Sequence, residues 1–270
     1  SIIALDVSSN PPQEIWTIDL SDIDGWEDVE VYNAQELRGK QIFHDAKDTR
    51  ITKSGYIACS HCHPSGDQDG LVWDFSDRGE GLRNTSSLLG RSGMVMGLLH
   101  WSGNFDEVQD FEGDIRNHFG GTGFLSDEDW QRTQNSLGEP KTGLSEDLDA
   151  LDAYISSLSQ TPISPFESSA YDIFEQYECH SCHPPPLYTT STIEENILYD
   201  IGSISNGSGQ RLGESLLGLD SPTLLGVVFT PPYLHNGSAF SIEESILSHV
   251  NLSPVSNEDL EILVHFVKSL

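Results

Sequence analysis

Two pentapeptides carry the most specific chemistry in this chain: Cys59-Ser-His-Cys-His63 and Cys179-His-Ser-Cys-His183. Each sets two thiols three residues apart, about one helical turn, with an imidazole directly after the second. Thiols at that spacing reach the two vinyl groups of a porphyrin, and the following residue offers a nitrogen to its iron. The pattern predicts two covalently bound haem c groups, attached through Cys59, Cys62, Cys179 and Cys182, with His63 and His183 as iron ligands. The rival for paired cysteines is zinc, which needs no histidine immediately after each pair. All four cysteines lie inside the motifs, so none remains for a disulfide. Thioether attachment takes place outside the cytoplasm, which makes the expected location periplasmic or extracellular.

The elements that would hold these motifs recur in the same order, 120 positions apart between Cys59 and Cys179. A helical pattern, Ala34 to Phe43, precedes the first motif, and an amphipathic stretch from Leu148 to Leu158 follows it. Ala170 to Phe174 precedes the second, and Leu260 to Leu270 closes the chain. Apolar residues recur at three and four in both closing stretches: Leu148, Leu151, Tyr154, Ile155 and Leu158, then Leu260, Leu263, Val264 and Val267. Asn257, followed by Glu258 and Asp259, reads as an N-cap. The expected fold is mostly α, with two cytochrome c-like domains in tandem, residues 34-162 and 163-270, hinged over Ser159 to Pro165. Residues 1-33 read as two short strands around Asn10-Pro11-Pro12, a packed β extension or the remnant of a larger upstream β domain.

Composition narrows the partners. Thirteen Lys and Arg against 43 Asp and Glu give a formal charge of −30, which argues against nucleic acid and anionic lipid. A charged redox partner should be basic, although such acidity also serves solubility in a salty medium. No run of eighteen apolar residues is present, so no membrane span is expected. The chain starts at Ser1 without a leader, which suggests a mature product or a fragment. Oligomers remain open.

Four further segments accompany the motifs: Arg83-Asn-Thr-Ser-Ser-Leu88, His100-Trp-Ser-Gly-Asn104, Ser221-Pro-Thr-Leu-Leu-Gly226 and Thr230-Pro-Pro-Tyr-Leu-His-Asn-Gly237. With them the chain resembles the bacterial dihaem cytochrome c peroxidase and MauG family over roughly residues 34 to 270. Ser86 stands where that family has proline, and the second segment keeps Trp101 but lacks the family's Phe, Asp and Arg. The resemblance implies a calcium ion held by Asn84, Thr230 and Pro232. It implies Trp101 between the haems as part of the electron path, and His249 as far ligand of the second iron. A capping Asn84, a core Trp101 and a solvated His249 are the plainer readings.

At the first haem the family's blocking loop histidine is missing, since Pro64 to Leu82 contains none. Nearby candidates are His100, His118, Met94 and Met96. Gln109 and Glu112 stand for the family's distal Gln and Glu, while His118 lies nearer the Glu position and could be acid-base group or ligand. Phe111, Ile115 and Phe119 at helical spacing suggest a face that turns inward and carries His118. The expected function is peroxidase-like: hydrogen peroxide reduced at the first haem with electrons from the second. The alternative is a non-catalytic electron-transfer cytochrome with both irons six-coordinate, and a MauG-like oxidation of a protein side chain is a third possibility.

Overall fold

The computed structural model describes residues 2–6, 8, 11, 13–18, 32–90, 97–159, 168–193, 197–249 and 254–270. The chain divides into two compact units, Ser1–Ala34 and Gln35–Leu270. In the first, β1 (Ile2–Asp6) pairs antiparallel with β2 (Gln13–Ile18), in register from Ile2 opposite Ile18 to Asp6 opposite Gln13, with an irregularity between Ala4 and Leu5.

The second unit is helical with small two-stranded sheets. α1 (Ala34–His44) buries Gly39, Ile42 and Phe43. α2 (Cys59–Cys62) is the first motif. The hairpin β3 (Val72–Phe75) and β4 (Gly81–Asn84) follows, then α3 (Phe111–Asn117), α4 (Asp127–Arg132) and α5 (Glu146–Ser157). After α6 (Ser168–Gln176) come β5 (Leu198–Tyr199), β6 (Gln210–Arg211), β7 (Glu214–Ser215) and β8 (Leu219–Asp220). β5 pairs with β8 and β6 with β7. α7 (Ile242–Leu247) and α8 (Asn257–Ser269) end the chain.

Helix pairing fixes both motifs. α5 starts at a capping Ser145, whose hydroxyl accepts from the Leu148 N–H, and its acidic first turn suits the helix dipole. It packs on α1 so closely that a Cβ at Gly39 would lie 1.8 Å from the Ala150 carbonyl oxygen, which leaves glycine as the residue that fits. Phe43 meets Tyr154 edge-on at 5.2 Å, and Arg38 and Arg50 both pair with Asp147. In the later half, Phe174 of α6 packs on Phe266 of α8 at 5.0 Å, inside a core with Tyr188, Tyr233, Leu234 and Leu263. A fully buried Lys141–Asp110 pair at 2.6 Å anchors the loop before α5.

The two halves of this unit are tied together through the β3–β4 hairpin. The Gln210 N–H donates to the Gly79 carbonyl at 2.5 Å, Arg83 donates to the Ser208 carbonyl at 2.9 Å, and the Asn84 N–H donates to the His235 carbonyl at 2.6 Å. Gly81, with φ 75°, lets this approach occur, since a Cβ there would meet the Gly207 carbonyl at 2.3 Å.

Helices stand over all four stretches where the sequence predicts them. The last helix begins one residue earlier than expected. Ser256, not Asn257, is its N-cap, with the Ser256 hydroxyl accepting from the Asp259 N–H at 3.1 Å, so Asn257 is its first helical residue. A serine hydroxyl two to three residues upstream of a free N–H competes on equal terms with asparagine. The expected hinge beyond Ser159, and Met94 and Met96, lie outside the described residues.

Candidate haem sites

Both pentapeptides close into one helical turn, which is what brings their thiols to a common side. The His63 N–H donates to the Cys59 carbonyl at 2.9 Å, and the His183 N–H to the Cys179 carbonyl at 3.0 Å. None of the four cysteines is in a disulfide. Burial pushes the Cys59 and Cys179 thiols up to about 11 and raises Cys62, so they are neutral thiols at pH 7. Burial takes both His63 and His183 down to about 4. At pH 7 each imidazole is therefore neutral, the form that has a lone pair for a metal.

His183 shares its cavity with a second imidazole. Its Nδ1 lies 3.1 Å from the Tyr188 carbonyl oxygen, which can only accept, so Nδ1 carries the proton and Nε2 the lone pair. Ser221 supports the same turn, donating to the Cys182 carbonyl at 2.7 Å. His249, just after α7, repeats the arrangement: its Nδ1 is 2.9 Å from the Ser245 carbonyl oxygen. His183 and His249 line one cavity of about 730 Å³ together with Cys179, Cys182, Trp101, Leu224 and Leu263. His249 is close enough for its charge to contribute, after burial, to the low pKa of His183. Paired thiols on one wall, two lone-pair nitrogens and an apolar lining fit a flat iron macrocycle.

Trp101 extends this cavity toward the first half of the unit. Its indole N–H donates to the Asn84 carbonyl at 2.9 Å, and its own carbonyl accepts from the Asp220 N–H at 2.8 Å. The residues expected at calcium are partly gathered. The Asn84 side-chain amide donates to the Pro232 carbonyl at 2.5 Å, leaving the Asn84 Oδ1 buried without a hydrogen-bond partner. The Thr230 hydroxyl donates to the Val227 carbonyl at 3.1 Å. An orphaned amide oxygen beside a backbone carbonyl is the kind of donor set a hard cation takes. Among the described residues no cluster of three or more His, Cys, Asp or Glu is placed to hold a metal.

The residues expected over the first haem are otherwise engaged. Gln109 is buried and donates to Asp149 at 2.9 Å. Glu112, with 0% exposure, accepts from the Phe124 and Leu125 N–H groups at 2.8 and 3.1 Å and pairs with Arg116 at 2.7 Å. His118 corrects an expectation: it is exposed and 3.8 Å from Asp114, not turned inward with Ile115. The reason is the helix end. α3 stops at Asn117, and His118 is its C-cap at φ −117°, so the periodicity does not carry through.

Sequence reasoning did not assign roles to Ser221, Arg211 or His235. Arg211 donates to the Ser102 and Gly103 carbonyls at 2.7 and 2.9 Å, clamping the turn that carries His100 and Trp101. His235 is fully buried, with Nε2 2.8 Å from the Ser208 hydroxyl. Ser221 and His235 fall in segments that carry the family resemblance, but nothing in residue type alone separates a brace from a ligand.

Set beside known proteins, the chain is 23% identical over 267 residues to a cytochrome c551 peroxidase of Nitrosomonas europaea, covering 86% of this chain and 78% of that one. It is 25% identical over 275 residues to hydrazine synthase subunit gamma of Kuenenia stuttgartiensis, covering 83% and 74%. Among solved structures, a MauG-like protein associated with microbial copper homeostasis superposes with a TM-score of 0.62 at 17% identity, over 88% of each chain. The chain has the fold of the dihaem cytochrome c peroxidase and MauG-like proteins. The dihaem peroxidase BthA of Burkholderia thailandensis follows at a TM-score of 0.55 and 16% identity, over 96% of this chain and 90% of that one. No family model matches.

Proposed function

We propose that this chain is a dihaem c-type cytochrome that reduces hydrogen peroxide at a haem held by Cys59, Cys62 and His63, using electrons relayed from a haem held by Cys179, Cys182 and His183. The two haems would sit in tandem domains, residues 34-162 and 163-270. The single observation that carries the reading is the cavity that His183 and His249 line together with two cysteines, with Trp101 in its wall. When bound, the haems supply two one-electron carriers and an iron at which the peroxide O–O bond is cleaved. The protein's part is positional. His183 and His249 present Nε2 lone pairs because carbonyls hold their Nδ1 protons. Two imidazoles on one iron give a lower potential than a Met ligand would, which favours passing electrons on.

Asn84, Thr230 and Pro232 would share a calcium ion, and through the Trp101–Asn84 hydrogen bond that ion would steady the indole in the electron path. The charge of −30 suits a basic electron donor. A periplasmic or extracellular location follows from thioether attachment, and no described helix is long and apolar enough to cross a membrane.

A second reading, electron transfer without catalysis, is favoured by the engagement of Gln109 and Glu112 and the exposure of His118. The deciding experiment mixes reduced protein with hydrogen peroxide and follows a reduced donor. Peroxide reduction consumes two electrons and two protons per peroxide and yields two waters. Donor oxidation at two electrons per peroxide supports the enzyme. No oxidation, with both haems low-spin and inert to cyanide, replaces it with the carrier.

A further inference from the structure

The peroxide reading needs a proton-transfer group near the first haem, and the three residues expected there are tied elsewhere or exposed. We propose that His100 is that group, its Nε2 taking a proton from one peroxide oxygen and returning it to the other. The assignment rests on the peroxide reading for its chemistry and on the geometry of the 100–104 turn for its residue.

The turn fixes the His100 tautomer. The Asn104 side-chain nitrogen donates to the Glu80 carboxylate at 2.7 Å, and a carboxylate only accepts, so the Asn104 amide has one orientation. Its oxygen then faces His100 Nδ1 at 2.8 Å, which must carry the proton. Nε2 is left with the lone pair, the state a base needs. Glu80, Asn104 and His100 thus form an ordered chain like those behind functional imidazoles elsewhere.

The ring is also held in place. It packs against Phe105 and Phe111, with centroids at 4.3 and 5.2 Å. Its backbone is left-handed, with φ 66°, a conformation that is strained for a residue with a side chain. Surrounding bonds impose that conformation: the Leu99 N–H to the Phe105 carbonyl at 3.0 Å, Arg211 on the Ser102 and Gly103 carbonyls, and Asp220 on Trp101. Strain that is over-determined in this way is found at sites where a side chain must be aimed. His100 is held near the first motif: its neighbour Trp101 donates to the Asn84 carbonyl at 2.9 Å, and the segment that runs on from Asn84 returns to the motif where the Leu88 N–H donates to the Gly66 carbonyl at 2.9 Å, three residues after His63. It is also joined covalently to Trp101, so proton and electron would arrive at neighbouring residues.

In the step itself, peroxide gives a proton to Nε2 and the imidazolium returns it to the far oxygen. That oxygen leaves as water as two electrons, which the bound haems would supply, break the O–O bond. The remaining oxygen takes two protons from solvent to become the second water, so the step consumes two electrons and two protons per peroxide.

The test uses the whole haem-loaded protein with His100→Ala and His100→Gln. Hydrogen cyanide must lose a proton on binding ferric iron, so its on-rate reads the base without peroxide turnover. The expected result in H100A is at least about a tenfold slower on-rate, restored by added imidazole, with the first haem's spin state unchanged and turnover lower by ~10²–10⁴. H100Q, which keeps shape but not basicity, should be equally slow. A cyanide on-rate within about twofold of the parent overturns the proposal, the lower bound expected of a lost base being larger. So does a low-spin to high-spin change in H100A, which would make His100 an iron ligand. If the parent binds cyanide through His100 yet does not turn over peroxide, His100 keeps its place and the peroxidase reading fails.

Discussion

His235 should make stability fall with acid in a way that can be isolated. The imidazole is fully buried, with the Ser208 hydroxyl at Nε2, and its backbone carbonyl receives the Asn84 N–H. Burial first, and then the nearby Arg83 charge, holds its pKa down to about 4 against 6.5 in an exposed histidine. A group depressed on folding contributes stability that is present above pH 6.5 and lost as pH falls toward 4, since the unfolded chain binds the proton first. The interval corresponds to roughly 3 kcal/mol. Replacing His235 with Gln keeps a hydrogen-bonding side chain but removes the titration. Urea unfolding of the haem-loaded protein and of H235Q at pH 7, 6, 5 and 4 gives the assay, because the difference between them cancels all other titrating groups. H235Q should be less stable at pH 7, and the gap should shrink by about 3 kcal/mol by pH 4. Parallel stability profiles for the two proteins would refute the reasoning.

Three other outcomes are expected. His249→Ala should turn one of the two haems from low-spin to high-spin in EPR and absorption, with imidazole restoring it; an unchanged spectrum removes His249 from the iron. Glu112→Gln should lower stability by roughly 1–3 kcal/mol, since it removes the buried partner of Arg116, leaving the exposed Asp127 at 3.0 Å, and weakens two buried acceptor bonds; a thermal melt within 1 °C of the parent would contradict that brace. Exhaustive chelation should release one calcium per chain and perturb Trp101 fluorescence through Asn84, whereas metal analysis finding none would make the Thr230-Pro-Pro turn purely structural.

What was legible in the sequence is what local rules determine. Two cysteines and a histidine at fixed spacing form one helical turn at both motifs, and an apolar stripe at three and four forms α5 and α8. Less legible was where a helix stops. Phe111, Ile115 and Phe119 keep their period past Asn117, but the chain leaves the helix there and His118 goes to solvent. Least legible was which partner a buried polar group would find. Gln109 and Glu112 look alike in sequence whatever they bond to, and their partners Asp149, Phe124 and Leu125 come from segments 12 to 40 residues away. His100 was one of four candidates until Asn104 and Glu80 fixed its tautomer.

The central claim is that both pentapeptides carry haem covalently. Mass spectrometry of the denatured chain, followed by proteolysis, measures this directly. The account predicts a mass two haems above the polypeptide, with one haem on the peptide containing Cys59 and Cys62 and one on that containing Cys179 and Cys182. A bare polypeptide mass from protein matured in a haem-attaching host would contradict it.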